Sequence, residues 1–347
     1  MKHQSNILAL KYRPSDFSDL IGQEYLVETI QKSIELNKIP NAYIFTGIRG
    51  VGKTTTARIV AKMLNCTVFD DSNRPDLQKC DQALAISEDR HPDVIEIDAA
   101  SNTSVENARE IIENVKYNPV LGKYKVYIID EVHMLSKSAF NALLKTLEEP
   151  PPHSKFIFAT TEISKVPITI LSRCQRFDLR RIEKKVLSNF LEKIALKEDI
   201  SLEKEALNLI IKASDGSVRD SLSILDQANI FKSGKEIKSA EIINMLGFAK
   251  IGDLYNLSKN ILENNLSDLM NMLNDMYQRG SETSKIIEDL MSIINWSCKI
   301  KINQNLLKDE FLTEEDKQFA NLILQFDHGK LNIFWQSLMK GLSLIHI

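Results

Sequence analysis

The sequence predicts a parallel α/β domain over residues 1–180 followed by two helical domains, and three observations predict it. Short apolar runs alternate with helical patterns as far as residue 180, the strand pattern then stops, and the first run leads directly into a glycine-rich loop that opens a helix. The runs are Ala42–Thr46, Val94–Asp98, Lys125–Asp130, Phe156–Thr160 and Arg176–Leu179. Near-continuous apolar strands suit a sheet covered by helices on both faces, so a five-stranded parallel sheet is expected. Between the third and fourth runs, Ser138–Glu149 places Phe140, Leu143, Leu144 and Leu147 on one helical face. Pro150, Pro151 and Pro152 end that crossover helix. After Arg180, segments 184–198, 203–214 and 217–231 read as amphipathic helices, with Ser201 and Asp215-Gly216-Ser217 supplying stop and cap chemistry. They form a small helical domain, 181–248, and the Leu-, Ile-, Asn- and Lys-rich stretch 249–341 a third, all-helical one.

Composition narrows the function classes. With 347 residues, 43% hydrophobic and 26% charged, the chain has the balance of an ordinary globular protein with material for several cores. A formal charge of −3 gives no global basic field, so nucleic acid would have to meet a local patch or a surface shared between subunits. No run of about 18 apolar residues occurs and the N-terminus has no signal-type stretch, so a cytoplasmic protein without membrane contact is expected. The scattered Cys66, Cys80, Cys174 and Cys298 do not suggest a disulfide framework. Leu342–Ile347 reads as foreign sequence, the translation of a sequencing-library transposon end, and is left out of the fold prediction.

The chemistry starts at Gly47-Ile48-Arg49-Gly50-Val51-Gly52-Lys53-Thr54, which satisfies GxxxxGK[ST] between a strand and a helix. Backbone N–H groups from Gly47, Gly50, Val51, Gly52 and Thr55 can wrap phosphates at a helix N-terminus. Lys53 is expected on the β/γ-phosphates, and Thr54 on Mg²⁺. The third run ends in two acids. Asp130 would hold Mg²⁺ through water and Glu131 would polarise the attacking water, giving nucleoside triphosphate hydrolysis by positioning and electrostatics. Thr160-Thr161 closes the fourth run, where a hydroxyl can meet the γ-phosphate or the water. Arg219 lies in the first turn of a helix, where a cation gains nothing from the dipole; that placement favours phosphate sensing. Arg58 and Lys62 face outward at helical spacing, as DNA contacts or a solvated face.

The stretches LALKYRPSDFSDLIGQE, FTGIRGVGKTTTARIVAKMLNC, IEIDAASN, YKVYIIDEVHMLSKSAFNALLKTLEEPPPHSKFIFATT, PITILSRCQRFDL and DGSVRDSLSILDQA resemble the clamp-loader branch of the AAA+ ATPases, and within it the family of bacterial DNA polymerase III gamma/tau subunits. They span nearly all of residues 8–230, and the resemblance fades beyond. It implies an AAA+ P-loop domain, a helical lid and a helical oligomerisation collar. It also implies an ATPase that loads a sliding clamp onto primed DNA, with other clamp-loader subunits, the clamp, primer–template DNA and the polymerase holoenzyme as partners in a hetero-oligomeric ring. Residue by residue, it places Arg13 and Pro14 at the adenine with Gly22-Gln23 beside them, Thr161 as first sensor and Arg219 as second. Arg173, in Ser172-Arg173-Cys174, matches the arginine finger that completes a neighbouring subunit's site, and it shares no obvious local partner.

One departure concerns metal. The family pattern inserts a four-cysteine zinc module after the phosphate-loop helix, here about 66–92. Cys66 and Cys80 fit it, but Leu77 and Ala83 stand at the other two places. Two thiols do not hold a tetrahedral zinc, and the spacing of His91 is wrong for a substitute, so zinc is expected to be lost, with the insertion packed by Leu77, Leu84 and Ile86. Two rival functions fit less well. A DExH helicase, suggested by Asp130-Glu-Val-His133, needs a second RecA-like domain, and a branch-migration motor needs a winged helix with strands near the C-terminus; residues 181–347 read as helical throughout. A non-enzymatic scaffold has no physical need for Lys53, Thr54, Asp130 and Glu131 together.

Overall fold

A computed structural model describes residues 7–70, 75–232, 234–246, 251–278, 283–308, 312 and 314–345. The chain divides into two compact units, residues 1–194 with 211–226, and residues 195–210 with 227–347.

In the first unit, α1 (Leu8–Lys11) and α2 (Glu24–Glu35) precede β1 (Ala42–Thr46). Then follow α3 (Lys53–Asn65), α4 (Asp81–Ser87), β2 (Val94–Asp98), α5 (Val105–Val115), β3 (Lys125–Asp130), α6 (Lys137–Glu148), β4 (Ser154–Thr160), α7 (Ile168–Leu171) and β5 (Gln175–Asp178). The five strands are parallel in the order β2-β3-β4-β1-β5. All five predicted strands are present, β4 beginning two residues before its predicted start. Side-chain alternation sorts each strand between two cores. Tyr43, Phe45, Val126, Ile128 and Ile157 pack on one face with Ile59, Val60 and Leu64 of α3. Ala42, Ile44, Tyr127, Ile129, Phe156 and Phe158 pack on the other with Ile111 of α5 and Phe140 and Leu143 of α6. The crossover helix α6 starts where Ser136 Oγ accepts the Ala139 N–H at 3.1 Å, an N-cap. Strand order reverses beside β1, which lies between β4 and β5, so a crevice opens at its carboxyl end, where open α/β sheets bind ligands.

Three expectations need correction. Leu84 is 49% exposed; Ala83 and Ile86, three positions apart, form the buried face of α4 together with Leu77 nearby in the chain. Lys62 does not face outward: it is 5% exposed, with Nζ donating to the Ser15 carbonyl at 3.3 Å. Arg58 is likewise drawn inward, to Asp89 at 2.7 Å and Glu96 at 2.6 Å, because these acids, from the turn after α4 and from β2, supply the partners a half-buried guanidinium needs. Neither side chain is a free cation for DNA.

Asp93 organises the approach to β3. Fully buried, its carboxylate accepts the N–H groups of Val120, Leu121 and Gly122, each at 2.7 Å. Burial alone would raise its pKa, but the backbone donors, Gly122 first, outweigh burial and hold it below the ordinary carboxylate range. A depressed folded-state pKa contributes stability above the unfolded value near 4 and loses it as pH falls through the folded value. Asp93→Asn is expected to destabilise the chain by about 2–3 kcal/mol at pH 7, the scale of charge-assisted bonds. Urea unfolding should show the gap to wild type closing as the pH is lowered below 4; an equal gap at pH 7 and pH 3 would mean that charge is not what binds the loop.

The remaining helices are α8 (Lys184–Lys197), α9 (Lys204–Ser214), α10 (Val218–Phe231), α11 (Ser239–Leu246), α12 (Ile251–Glu263), α13 (Leu266–Gln278), α14 (Thr283–Ile302), α15 (Glu314–Ile323) and α16 (His328–Ile345). The strand signal does not end at Arg180: Ser201–Leu202 (β6) and Glu236–Ile237 (β7) pair in parallel within the second unit. Two-residue strands carry no readable alternation. The core of the second unit gathers Leu257, Leu290, Ile294, Ile323 and Leu331. Tyr255 stacks on Phe319 at 4.1 Å and hydrogen-bonds Asp316 through its hydroxyl. Of the segment read as foreign, residues 342–345 continue α16, and His346 and Ile347 lie outside the described residues.

Candidate nucleotide site

The loop after β1 has its shape dictated by close approach. At Gly47 a Cβ would stand 2.6 Å from the Leu179 carbonyl oxygen, and Gly50, at φ +77°, would place one 2.0 Å from Ser217 Oγ. Only glycine allows the chain to pass at these two points. Gly52 is the N-cap of α3 in the left-handed region, and Val51 is buried beneath the loop. Lys53, in the first turn of α3, is buried, and its ammonium donates to the carbonyls of Gly47 and Ile48, both at 3.0 Å. Burial draws its pKa down, against the pull of Glu131 and Asp130. Thr54 Oγ1 donates to Asp130 Oδ2 at 2.6 Å, joining the loop to the end of β3.

This bond brings together the two residues predicted to share Mg²⁺. A hydroxyl and a carboxylate are hard oxygen donors of the kind Mg²⁺ selects, and few protein ligands suffice because that ion retains waters. The donor set fits. Glu131, next in the chain, has φ +46° and points its Oε2 at Thr161, accepting the N–H at 3.2 Å and the hydroxyl at 3.0 Å. Thr161 thus lies beside the acid, a contact the sequence did not suggest.

On the other side of the loop, Arg13 Nε donates to Thr55 Oγ1 at 3.3 Å; burial, then the nearby Arg58, lowers its pKa. Pro14 follows it, half-buried. Gln23 is buried, donating Nε2–H to the Arg180 carbonyl at 2.9 Å and accepting the Arg180 N–H at 3.3 Å. Gly22 lies against Ile182, whose own N–H donates to Gly216. Helix α10 then meets the loop directly, with the Arg219 N–H donating to the Gly50 carbonyl at 3.3 Å. The Arg219 side chain is exposed. Arg13 and Arg219 thus both adjoin the loop, one through Thr55 and the other through Gly50.

Arg173 is not part of this cluster, and it does have local partners: Glu148 in an ion pair, the Thr169 carbonyl, and Ser172 Oγ at 3.3 Å. Its pairing with α6 was invisible in sequence because Glu148 is 25 positions away. Ser217, read in sequence as cap chemistry, is the α10 N-cap that accepts the Asp220 N–H, but its close approach to Gly50 was not foreseen, and Ile182, pressed against Gly22, was passed over. It named His133 only as part of the DExH pattern, although a histidine two positions past Glu131 was signal enough to place it near the acid.

For zinc, the donor set does not fit. Cys66, Leu77, Cys80 and Ala83 all join one apolar core. The Cys66 thiol donates to the Val68 carbonyl at 3.0 Å, and burial pushes its pKa up to about 12. Burial would raise Cys80 as well, but backbone N–H groups, that of Ala83 first, outweigh it and hold Cys80 below the ordinary thiol value. The misfit lies in the number of donors, two thiols where tetrahedral zinc takes four. His91 accepts the Asp93 N–H at Nδ1 (3.1 Å), leaving Nε2–H for Gln82 Oε1 at 2.6 Å, so both ring nitrogens are engaged.

A family described as "DNA polymerase III, delta subunit" matches residues 22–183, "DNA polymerase III clamp loader subunit, ATPase lid domain" matches 187–234, and "DNA polymerase III subunits gamma and tau domain III" matches 237–347. DNA polymerase III subunit tau of Escherichia coli is 38% identical over 96% of this chain, which spans about half (52%) of that relative's length. DNA polymerase III subunit gamma of Buchnera aphidicola subsp. Schizaphis graminum is 38% identical, with 96% of this chain and 92% of the relative covered. Among solved structures, the Thermotoga maritima RuvB Holliday junction branch migration motor superposes with a TM-score of 0.51 at 18% identity, over 76% of this chain and 85% of its own, a likeness of AAA+ fold alone. The identity and coverage of the gamma and tau relatives show that the chain belongs to the gamma/tau subunit family of bacterial DNA polymerase III.

Proposed function

We propose that this chain binds and hydrolyses ATP as a subunit of a cytoplasmic clamp loader, opening a sliding clamp and releasing it closed around primed DNA. The observation that carries the reading is the Thr54–Asp130 bond at 2.6 Å, which fixes the phosphate loop against the acids of β3. Lys53 exchanges its loop carbonyls for phosphate oxygens, Arg13 and Pro14 border the adenine, and Arg219 meets the phosphates from α10. Thr54 and Asp130 would hold Mg²⁺, which supplies charge neutralisation across the phosphates. Glu131 accepts a hydrogen bond from the attacking water and aligns it with the γ-phosphorus. The chain carries no polymerase chemistry of its own; that belongs to other subunits of the holoenzyme. Intact Lys53, Thr54, Asp130 and Glu131 support an active ATPase over a scaffold.

The test is ATP turnover by the chain assembled with its partner subunits, measured alone, with sliding clamp, and with clamp plus primed DNA. Stimulation that requires both ligands is the expected result. A scaffold would give no turnover, and a helicase would respond to DNA without the clamp.

A further inference from the structure

Three groups converge on a single oxygen of Glu131. Thr161 donates its N–H and its hydroxyl to Oε2, and Nδ1 of His133 lies 3.4 Å from the same atom. None of these contacts reaches Oε1. The His133 side chain is 6% exposed and is fixed at both ends of its ring. Nδ1 is also 3.0 Å from Thr160 Oγ1, and Nε2 is 3.4 Å from Glu162 Oε1. Thr160 is fully buried, and its hydroxyl oxygen accepts the Glu162 N–H at 3.0 Å. The ring is therefore a strut between the end of β4 and the acid after β3.

Such a strut has work to do. Glutamate has three rotatable side-chain bonds, and Glu131 sits on left-handed backbone outside any helix that would restrict them. A carboxylate that must meet one water in one direction loses rate with every other orientation it samples. We propose that His133 is a positioning residue for Glu131: Thr161 pins Oε2 through two hydrogen bonds, and the His133 ring, held by Thr160 and lying 3.4 Å from the same oxygen, limits where the carboxylate can turn, leaving Oε1 as the atom that receives the water's hydrogen bond. The proposal rests on the catalytic role given to Glu131 above. It also constrains Thr161. A threonine hydroxyl has one hydrogen, and here Glu131 takes it, so while this arrangement holds Thr161 can accept from the attacking water but cannot donate to a phosphate.

The test uses the full chain in its assembled complex with clamp and primed DNA. His133→Ala is expected to lower kcat for ATP by about 10–100-fold, below the full effect of losing an acid–base group, with KM unchanged within about twofold. His133→Asn, whose amide nitrogen overlies the Nδ1 position, is expected to recover most of that loss. The decisive measurement is a double-mutant cycle: in a Glu131→Gln background, His133→Ala is expected to cost nothing further, because it acts through the missing carboxylate. Multiplicative losses in the double mutant, or a raised KM with kcat intact, would overturn the proposal and make His133 a brace for the β4 end. Wild-type turnover retained by Glu131→Gln alone would instead overturn the role of Glu131, and the positioning role would go with it.

Discussion

Lys53→Ala is expected to lower ATP turnover of the assembled complex by about 10²–10³ or more, the scale of removing one preorganised charge-stabilising donor, and to weaken ATP binding to the isolated chain. Lys53 is the cation of the loop, within electrostatic reach of both Asp130 and Glu131, and its two bonds to Gly47 and Ile48 are the ones a phosphate would replace. Those same bonds mean that alanine also removes local structure. Two loop carbonyls lose a buried donor, a cost of about 1–3 kcal/mol, so a modest fall in melting temperature is expected alongside the functional loss. The sheet should survive, because its cores lie on Tyr43, Ile44, Phe45 and their neighbours rather than on the loop. A melting curve that keeps one cooperative loss of the sheet with turnover abolished supports the assignment. Turnover at the wild-type level would remove Lys53 from the site.

The parts of this molecule that were legible in sequence are those where chemistry is local. Gly47 to Gly52 forms one loop between β1 and α3, so spacing alone was enough to read the strand–loop–helix unit on which the proposed phosphate site rests. The three central strands β1, β3 and β4 could be read because each is a nearly continuous apolar run buried on both faces of a parallel sheet, whereas the partly exposed edge strands β2 and β5 mix apolar with charged residues and were legible mainly from their place in the alternation. What could not be read depends on partners distant in sequence. Arg58 and Lys62 look like solvated cations on a helix until Asp89, Glu96 and Ser15 arrive from elsewhere. Leu84 looks like core until α4 turns Ala83 and Ile86 inward instead. The tether on Glu131 needed Thr161, 30 positions away, and His133 to be brought to one oxygen. Sequence pattern shows which face of an element is apolar; it does not show which remote polar group will meet the exceptions.

Arg173→Ala is expected to leave ATP affinity of the isolated chain nearly unchanged and to cut turnover of the assembled complex by about 10³ or more, the scale of a missing arginine finger. Within its own chain, Arg173 bonds to Glu148, Thr169 and Ser172 and to none of the loop residues. Its side chain is 31% exposed and that of Glu148 49%, so the ion pair between them lies at the surface. Pairs of that kind contribute about 0–1 kcal/mol, whereas a 10³ effect on rate corresponds to about 4 kcal/mol. On that scale, exchange of Glu148 for transition-state charge on a neighbouring subunit would be favourable, so the local pair is compatible with a trans role. Glu148→Ala separates the two readings. If Arg173 serves only its own chain, both alanine variants should behave alike; if it serves the neighbour, Glu148→Ala should retain most of the turnover that Arg173→Ala loses. Mixing Arg173→Ala with Lys53→Ala chains adds a positive test, because an assembly with both at adjacent positions regains sites that pair an intact loop with an intact arginine. Loss of ATP binding in the isolated Arg173→Ala chain, or full turnover in its complex, would show that Arg173 is a local structural charge.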